Sequence, residues 1–226
     1  MAMPPNPQPD PRRIYITPIE VAKRLDELGL REATLIDAVM NGIHYRLDST
    51  EHSCKTALGM VVWNFATQAL RDALVPNGWS KDSTRNYEIT VHPEASHAVT
   101  VSSGDENTGA EDHTPCTSGE KGQCTKDAIE RNLQLGFARI SPGEFPPQTD
   151  SSPETWVLLY HMDEKQEEIR IELSLPSGLN ADDHINDWYE RIILTVQQFG
   201  DVLTSKTDPD DDDVDEIDFD VERKAL

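Results

Sequence analysis

The chain has 226 residues, 42 of them acidic and 20 basic, which gives a formal net charge of −22 at pH 7. Charge of one sign on that scale repels phosphate backbones, and direct nucleic-acid binding needs clustered Lys and Arg to displace counterions. The composition therefore argues against direct binding of nucleic acid. An apolar content of 36% fits one folded domain flanked by disordered segments.

Cysteine usage and hydropathy predict the compartment. The three cysteines, Cys54, Cys116 and Cys124, cannot form an even disulfide framework, and no signal peptide precedes them. The longest apolar run, near residues 57–66, is too short and too polar to span a bilayer. These features predict a soluble cytoplasmic protein with no membrane partner.

The N-terminal third is predicted to be helical. After a proline-rich lead over 1–13, which is expected to be disordered, Thr17 supplies a helix cap with a proline and a glutamate in the first turn. Apolar periodicity predicts two more helices, over 32–45 and 55–74. None of the three is basic, so a packing layer over 14–76 is favoured over a DNA-binding helix-turn-helix.

Residues 79–196 are predicted to be mostly β. Two pairs of segments alternate apolar and polar residues around a short turn, which is typical of a hairpin. The paired segments are 87–91 with 98–101, and 156–161 with 168–175.

The other segments complete the predicted fold. A helix is expected over 125–135 and a proline-rich connector over 141–153, whereas 188–196 is either helical or extended. Together the pattern predicts an α+β domain over 14–200, in which the N-terminal helical layer packs on an antiparallel β-meander. An acidic flexible tail follows over 201–226.

The long loop over 102–123 is the candidate ligand site, because such loops inside compact domains are usually functional or disordered. Its backbone amides would suit an anion and its carboxylates a cation such as Mg²⁺. The Gly-Lys-Ser/Thr ending of a Walker loop is absent. The candidate residues are Gly104, Asp105, Glu106, Thr108 and Lys121. The alternative is a polar surface loop.

The sequence favours no metal cofactor. His113, Cys116 and Cys124 supply three possible zinc ligands, but zinc sites usually pair their ligands in two knuckles, and the second knuckle is missing. Zinc or magnesium stays open as the alternative. No Ser/His/Asp or Cys/His spacing is present, so no catalytic residue is assigned and a non-enzyme is favoured.

The tail concentrates charge, since residues 201–226 hold 11 acids and 3 bases. Apolar residues alternate after a run of aspartates, a pattern that predicts docking into a basic, apolar groove or addition as an edge strand. The candidate partner-binding residues are Asp210, Asp211, Asp212, Asp213, Ile217, Phe219 and Val221. A merely solubilising tail is the alternative.

Several sequence blocks between about 20 and 196 form a recognisable set. They are Arg24–Leu30, Trp63 with Ala69–Arg71, Gly78–Trp79, Ser103–Gly109, Thr114–Thr117 with Lys121–Gly122, and Glu172–Pro176 with Trp188–Ile192. In these blocks the chain resembles a family of uncharacterised bacterial proteins associated with mobile elements. The resemblance implies a soluble bacterial protein and brings no assigned activity.

The sequence as a whole predicts a non-enzymatic acidic interaction protein. Its carboxylates would bind a basic surface of a nucleic-acid-handling protein or complex, as a DNA mimic, an inhibitor or an accessory subunit. The alternative is an enzyme or binding domain that holds a metal or phosphate ligand in the 102–123 loop. A structural subunit of a larger complex is the third hypothesis.

Overall fold

The computed structural model describes residues 13–50, 52–140 and 152–198. The helices of these ranges are α1 (Pro18–Glu27), α2 (Glu32–Leu47), α3 (Lys55–Leu74) and α4 (Gln123–Ile140), with 3-10 turns at Val75–Asn77 and Thr84–Asn86. The strands are β1 (Arg13–Tyr15), β2 (Ser80–Asp82), β3 (Ile89–Val91), β4 (His97–Ser103), β5 (Glu154–Asp163), β6 (Glu168–Leu179), β7 (Ile185–Ile193) and β8 (Gln197–Gln198).

The strands of the described ranges form one mixed sheet in the order β1-β7-β6-β5-β4-β3-β2, and β8 pairs with β6. Both predicted hairpins are present, as β3–β4 and β5–β6. The pairs β4–β5 and β1–β7 are parallel, and α4 lies on the crossover that a parallel pair requires. The α+β class is confirmed, but the antiparallel meander is not.

The predicted helices are confirmed. The Thr17 side chain accepts a hydrogen bond from the Glu20 amide at 3.4 Å and so caps α1 as expected. Helix α3 has the predicted bounds, and the ambiguous segment near the end of the domain is extended in β7. Arg13, which the sequence placed in the lead, begins β1, whereas residues 1–12 and the predicted tail lie outside the described residues.

The main core lies between the sheet and helices α1 to α3. Strand β6 shows why the helices cover this face. Its alternating residues Ile169, Ile171, Leu173 and Leu175 are buried in the main core. Burial of such an aliphatic side chain stabilises the fold by roughly 1.5–3 kcal/mol. No helix of the described part is both long enough and apolar enough to cross a membrane.

Helix α4 covers the opposite face of the sheet over a smaller core that includes Ile129 and Trp188. Asn132 fixes the helix there. Its amide nitrogen donates to the carbonyls of Thr155 (2.9 Å) and Pro176 (3.2 Å), and its oxygen accepts from the Thr155 amide (2.9 Å). The side chain is buried, and these bonds satisfy its amide while they join α4 to β5 and β6. The second face of the sheet is therefore also covered.

A buried histidine connects the sheet to the turn between α1 and α2. His97 is 6% exposed, and its Nε2 donates to the Leu28 carbonyl at 2.9 Å. Its ring stacks on His92 with centroids 4.6 Å apart and meets Trp79 edge-on. Burial lowers the pKa of His97 to about 4. The folded protein therefore holds this ring neutral at pH 7.

Stability is expected to fall as the pH is lowered from 6.5 to 4. The unfolded chain protonates His97 below its ordinary pKa of 6.5, whereas the folded protein protonates it only near 4. Proton uptake in this window therefore favours unfolding, by about 2 kcal/mol at pH 4.5. Urea unfolding at pH 7 and pH 4.5 measures the loss, with His97→Gln as the control, because glutamine keeps a donor but does not titrate. Equal losses for both proteins would contradict this account.

Candidate functional site

Residues 104–122 connect β4 to α4 across the face of the sheet opposite α1 to α3, and we call this segment the strap. Its backbone is joined to the sheet at its start and again near its end. The Gly104 amide donates to the Tyr160 carbonyl at 2.8 Å, and the Thr117 amide donates to the Ile185 carbonyl at 3.0 Å. Gly104 and Thr117 also pair with each other in an isolated β-bridge. The strap is thus closed at its base.

A buried ion pair lies beneath the strap, on adjacent strands. Arg191 of β7 contacts Glu172 of β6 through Nη2–Oε2 at 2.5 Å and Nε–Oε1 at 3.1 Å. Glu172 is fully buried and Arg191 is 5% exposed. Two parallel bonds from a guanidinium to a carboxylate give a strong and directional contact. The Ser174 hydroxyl also donates to Glu172 Oε1, at 2.7 Å.

The same two side chains hold the middle of the strap. Arg191 donates from Nη1 to the His113 carbonyl at 2.7 Å and from Nη2 to the Ala110 carbonyl at 3.0 Å. Glu172 Oε2 accepts from the Gly109 amide at 2.8 Å. Backbone groups of the strap, in place of water, complete the hydrogen bonding of the Glu172 and Arg191 side chains. The position of the strap therefore depends on this pair.

Two further side chains of the sheet, and one just before β7, contact strap carbonyls. The Trp188 indole donates to Pro115 at 2.9 Å, and Arg170 Nη1 donates to Glu106 at 2.8 Å. His184 Nδ1 lies 2.6 Å from the carbonyl oxygen of Thr117. Together with the ion pair, these contacts fix the strap backbone along its length.

The structure places the predicted ligand residues in the turn that starts the strap. Gly104 and Thr108 are buried, and a Cβ at position 104 would collide with the Thr108 hydroxyl. The Asp105 carboxylate accepts from the Asn107 amide at 3.1 Å and from its side chain at 3.2 Å. Glu106 is exposed. Gly104, Asp105 and Thr108 therefore build the turn, and Glu106 alone of these four presents its side chain to solvent.

Lys121 is directed towards the protein. Its Nζ donates to the Ser102 hydroxyl at 2.8 Å, and burial lowers its pKa to about 8. Burial also raises the pKa of the neighbouring Cys116 thiol, so that thiol is not activated as a nucleophile. This hydrogen bond uses one of the three N–H donors of Lys121, and the expected phosphate contact of Lys121 stays a prediction.

The candidate zinc ligands do not form a site within the described residues. In those ranges no group of three His, Cys, Asp or Glu side chains is arranged to hold a metal ion. His113 contributes its carbonyl to Arg191, and its ring is exposed. The carboxylates proposed for Mg²⁺ likewise form no ligand set in the part that the structure covers.

The sequence analysis did not identify Glu172 and Arg191 as the residues that hold the strap in position. Each is a charged residue inside a strand of apolar neighbours, at a position that alternation would assign to solvent. Both are buried because the strap covers that face. The signal was present in the strands as charges of opposite sign, but their pairing depends on the register that places β6 beside β7.

Comparison with known proteins gives no match: no family model, no curated protein and no solved structure matches this chain. Membership of the bacterial family that the sequence blocks resemble thus stays a prediction. The candidate tail residues, from Asp210 to Val221, lie outside the described residues, and their role stays a prediction as well.

Proposed function

We propose that this chain is a non-enzymatic interaction protein, with the strap as its recognition surface for a basic patch on a nucleic-acid-handling protein. The observation that carries the proposal is the attachment of the strap by the buried Glu172–Arg191 pair. The attached segment holds five carboxylates and a single basic residue, Lys121, which donates inwards to Ser102. The strap is therefore an acidic surface whose backbone is held in place by the sheet.

The outer carboxylates of the strap are available to a partner. Glu106, Glu111 and Asp112 are exposed. Within the described ranges, no hydrogen bond or ion pair engages their side-chain oxygens. Charges without a counter-ion on their own protein favour encounter with a surface of opposite sign and speed its association.

Rigidity supports binding in a second way. Ordering of a loop at an interface costs free energy, and a loop that is already fixed avoids that cost. The strap backbone is bound to four strands before any partner arrives, through residues such as Tyr160 of β5, Arg170 of β6 and Trp188 of β7. The carboxylates are thereby presented at set positions, as recognition of a basic surface of fixed shape requires.

Strand β8, the last described element of the chain, lies close to the start of the strap. Strand β8 places Gln198 beside Glu168, and Arg170, two residues further along β6, binds the Glu106 carbonyl. The sequence from 201 to 226 carries a net charge of −8. We propose that the tail adds its acidic groups to the surface that the strap begins.

Neutralisation of the strap is expected to weaken partner binding. The triple variant E106Q/E111Q/D112N takes away three exposed charges with side chains of the same size and should weaken binding by about tenfold or more. The measurement is affinity capture from the native host with the full chain, quantified by mass spectrometry. The expected result is a basic nucleic-acid-binding protein that the wild type retains and the variant loses.

A charge-matched control separates recognition from net charge. The variant D26N/D37N/E94Q also removes three exposed carboxylates, but these lie in α1, in α2 and in the β3–β4 turn, away from the strap. It should retain the partner at the wild-type level. Equal retention by the strap variant and this control would contradict the proposal.

A further inference from the structure

A cleft of about 750 Å³ opens between the C-terminal half of α3 and the β2–β3 edge of the sheet. Its size falls in the range of small-molecule sites, which run from about 300 to 1,000 Å³. It is lined by residues from Trp63 to Pro76 on the helix side and from Lys81 to Glu88 on the sheet side. The strap contributes nothing to it, so the cleft is separate from the proposed recognition surface.

Helix α3 lines the cleft with two parallel rows of side chains. Residues four apart lie one turn above another on the same face of a helix. One row is Trp63, Thr67 and Arg71, which supplies an aromatic ring, a hydroxyl and a guanidinium. The adjoining row begins with Asn64 and Gln68, whose exposed amides make no hydrogen bond to any described residue. Each amide offers a donor and an acceptor side by side.

Two buried polar atoms of this wall have no partner in the described part of the chain. Thr67 is 7% exposed, and its hydroxyl makes no hydrogen bond. The Nε of Arg71 is likewise buried without a partner, although its Nη2 donates to the carbonyls of Asp82 and Ile89. A buried polar group that lacks a hydrogen bond destabilises the free protein. Both residues line the cleft, so a molecule bound there lies close to two polar side chains whose hydrogen bonding is incomplete.

Charge in the cleft cancels, in contrast to the rest of this acidic protein. Arg71 contacts Glu88 with Nη2–Oε2 at 2.8 Å, and the two remaining charged residues are Lys81 and Asp72. Two positive and two negative groups give the cleft a formal net charge of zero, so its charge does not attract an ion of either sign. The cleft thus favours an uncharged molecule, with an aromatic part for the indole of Trp63 and donor and acceptor groups for the amides.

We propose that the cleft binds a neutral nucleobase or nucleoside. Stacking on an aromatic side chain and paired hydrogen bonds to a side-chain amide are the two contacts by which proteins hold a base. Trp63 supplies the aromatic group, and Asn64 and Gln68 supply the amides. Thr67 lies beside them at the buried side of the cleft.

The test is saturation-transfer NMR on the full chain with adenosine, guanosine, cytidine and uridine as probes, followed by titration of each that binds. At least one nucleoside should bind the wild type. Thr67→Val should weaken that binding about tenfold, while the melting temperature of the free protein rises because an unpaired buried hydroxyl is gone. Gln68→Leu, at an exposed position, should weaken binding without unfolding the chain. Thr34→Val on α2 serves as the matched control and should change neither the nucleoside affinity nor the melting temperature of the free protein.

Three results would overturn the proposal. One is the absence of saturation transfer to all four nucleosides. Another is nucleoside binding that Thr67→Val and Gln68→Leu leave at the wild-type affinity, because the ligand would then lie elsewhere. The last is binding of nucleoside monophosphates in preference to nucleosides, since a neutral cleft has no reason to favour a phosphate.

Discussion

Replacement of Arg191 by alanine is expected to lower the free energy of unfolding by about 3–5 kcal/mol. The substitution leaves Glu172 fully buried without its cation and leaves the Ala110 and His113 carbonyls without their donor. Urea unfolding measures the loss. Hydrogen exchange should also show that amides 105–117 become less protected, because the strap has lost its central attachment.

Arg46 provides the control for this substitution. It forms an ion pair of similar length with Glu164, at 2.9 Å, but the two side chains are 29% and 68% exposed. Exposed pairs of this kind contribute under about 1 kcal/mol, so Arg46→Ala should unfold almost as the wild type does. If Arg191→Ala were no more harmful than Arg46→Ala, the buried pair would not hold the strap.

The second large effect is expected at the crossing of α2 and α3. Gly42 is buried there, and a Cβ at this position would overlap the carbonyl oxygen of Val62. Because the obstacle is backbone, the helices must separate to accept even one methyl group. Gly42→Ala should therefore lower the free energy of unfolding by about 3 kcal/mol, measured by urea denaturation.

Gly59 offers a control with the opposite sign. It lies in α3, and a Cβ there would meet nothing within 4 Å. Alanine has a higher helix propensity than glycine, so Gly59→Ala should stabilise the protein by about 0.5–1 kcal/mol. If both substitutions stabilised the protein, that result would contradict the close contact between α2 and α3 at Gly42.

The helices were predictable because their signals are local. The cap at Thr17, the proline after it and the apolar stripe of α3 each depend on residues within a few turns. The sheet was less predictable. Strand β2 is the polar sequence Ser80–Asp82, which has no apolar alternation, and it forms because β3 supplies its hydrogen bonds. Parallel pairing of β4 with β5 likewise depends on a crossover, which local sequence does not specify.

The strap shows which part of a site pattern reasoning leaves out. The sequence identified residues 102–123 as special from their length and composition, and the segment is indeed structured. It gave Asp105, Thr108 and Lys121 as candidate ligand residues. In the structure Asp105 and Lys121 form hydrogen bonds within the protein and Thr108 is buried, so their binding of a ligand stays a prediction. The residues that hold the segment, Glu172 and Arg191, lie about 60 to 80 positions further along the chain than its centre. Only the sheet register brings them beneath it.

The central claim is that the strap carboxylates recognise a basic surface, and the salt dependence of binding tests it most directly. The dissociation constant of the full chain for its captured partner is measured from low to high salt for the wild type, E106Q/E111Q/D112N and D26N/D37N/E94Q. We expect a steep loss of affinity with salt for the wild type and the control, and a shallow one for the strap variant. One common slope for all three proteins would contradict the claim.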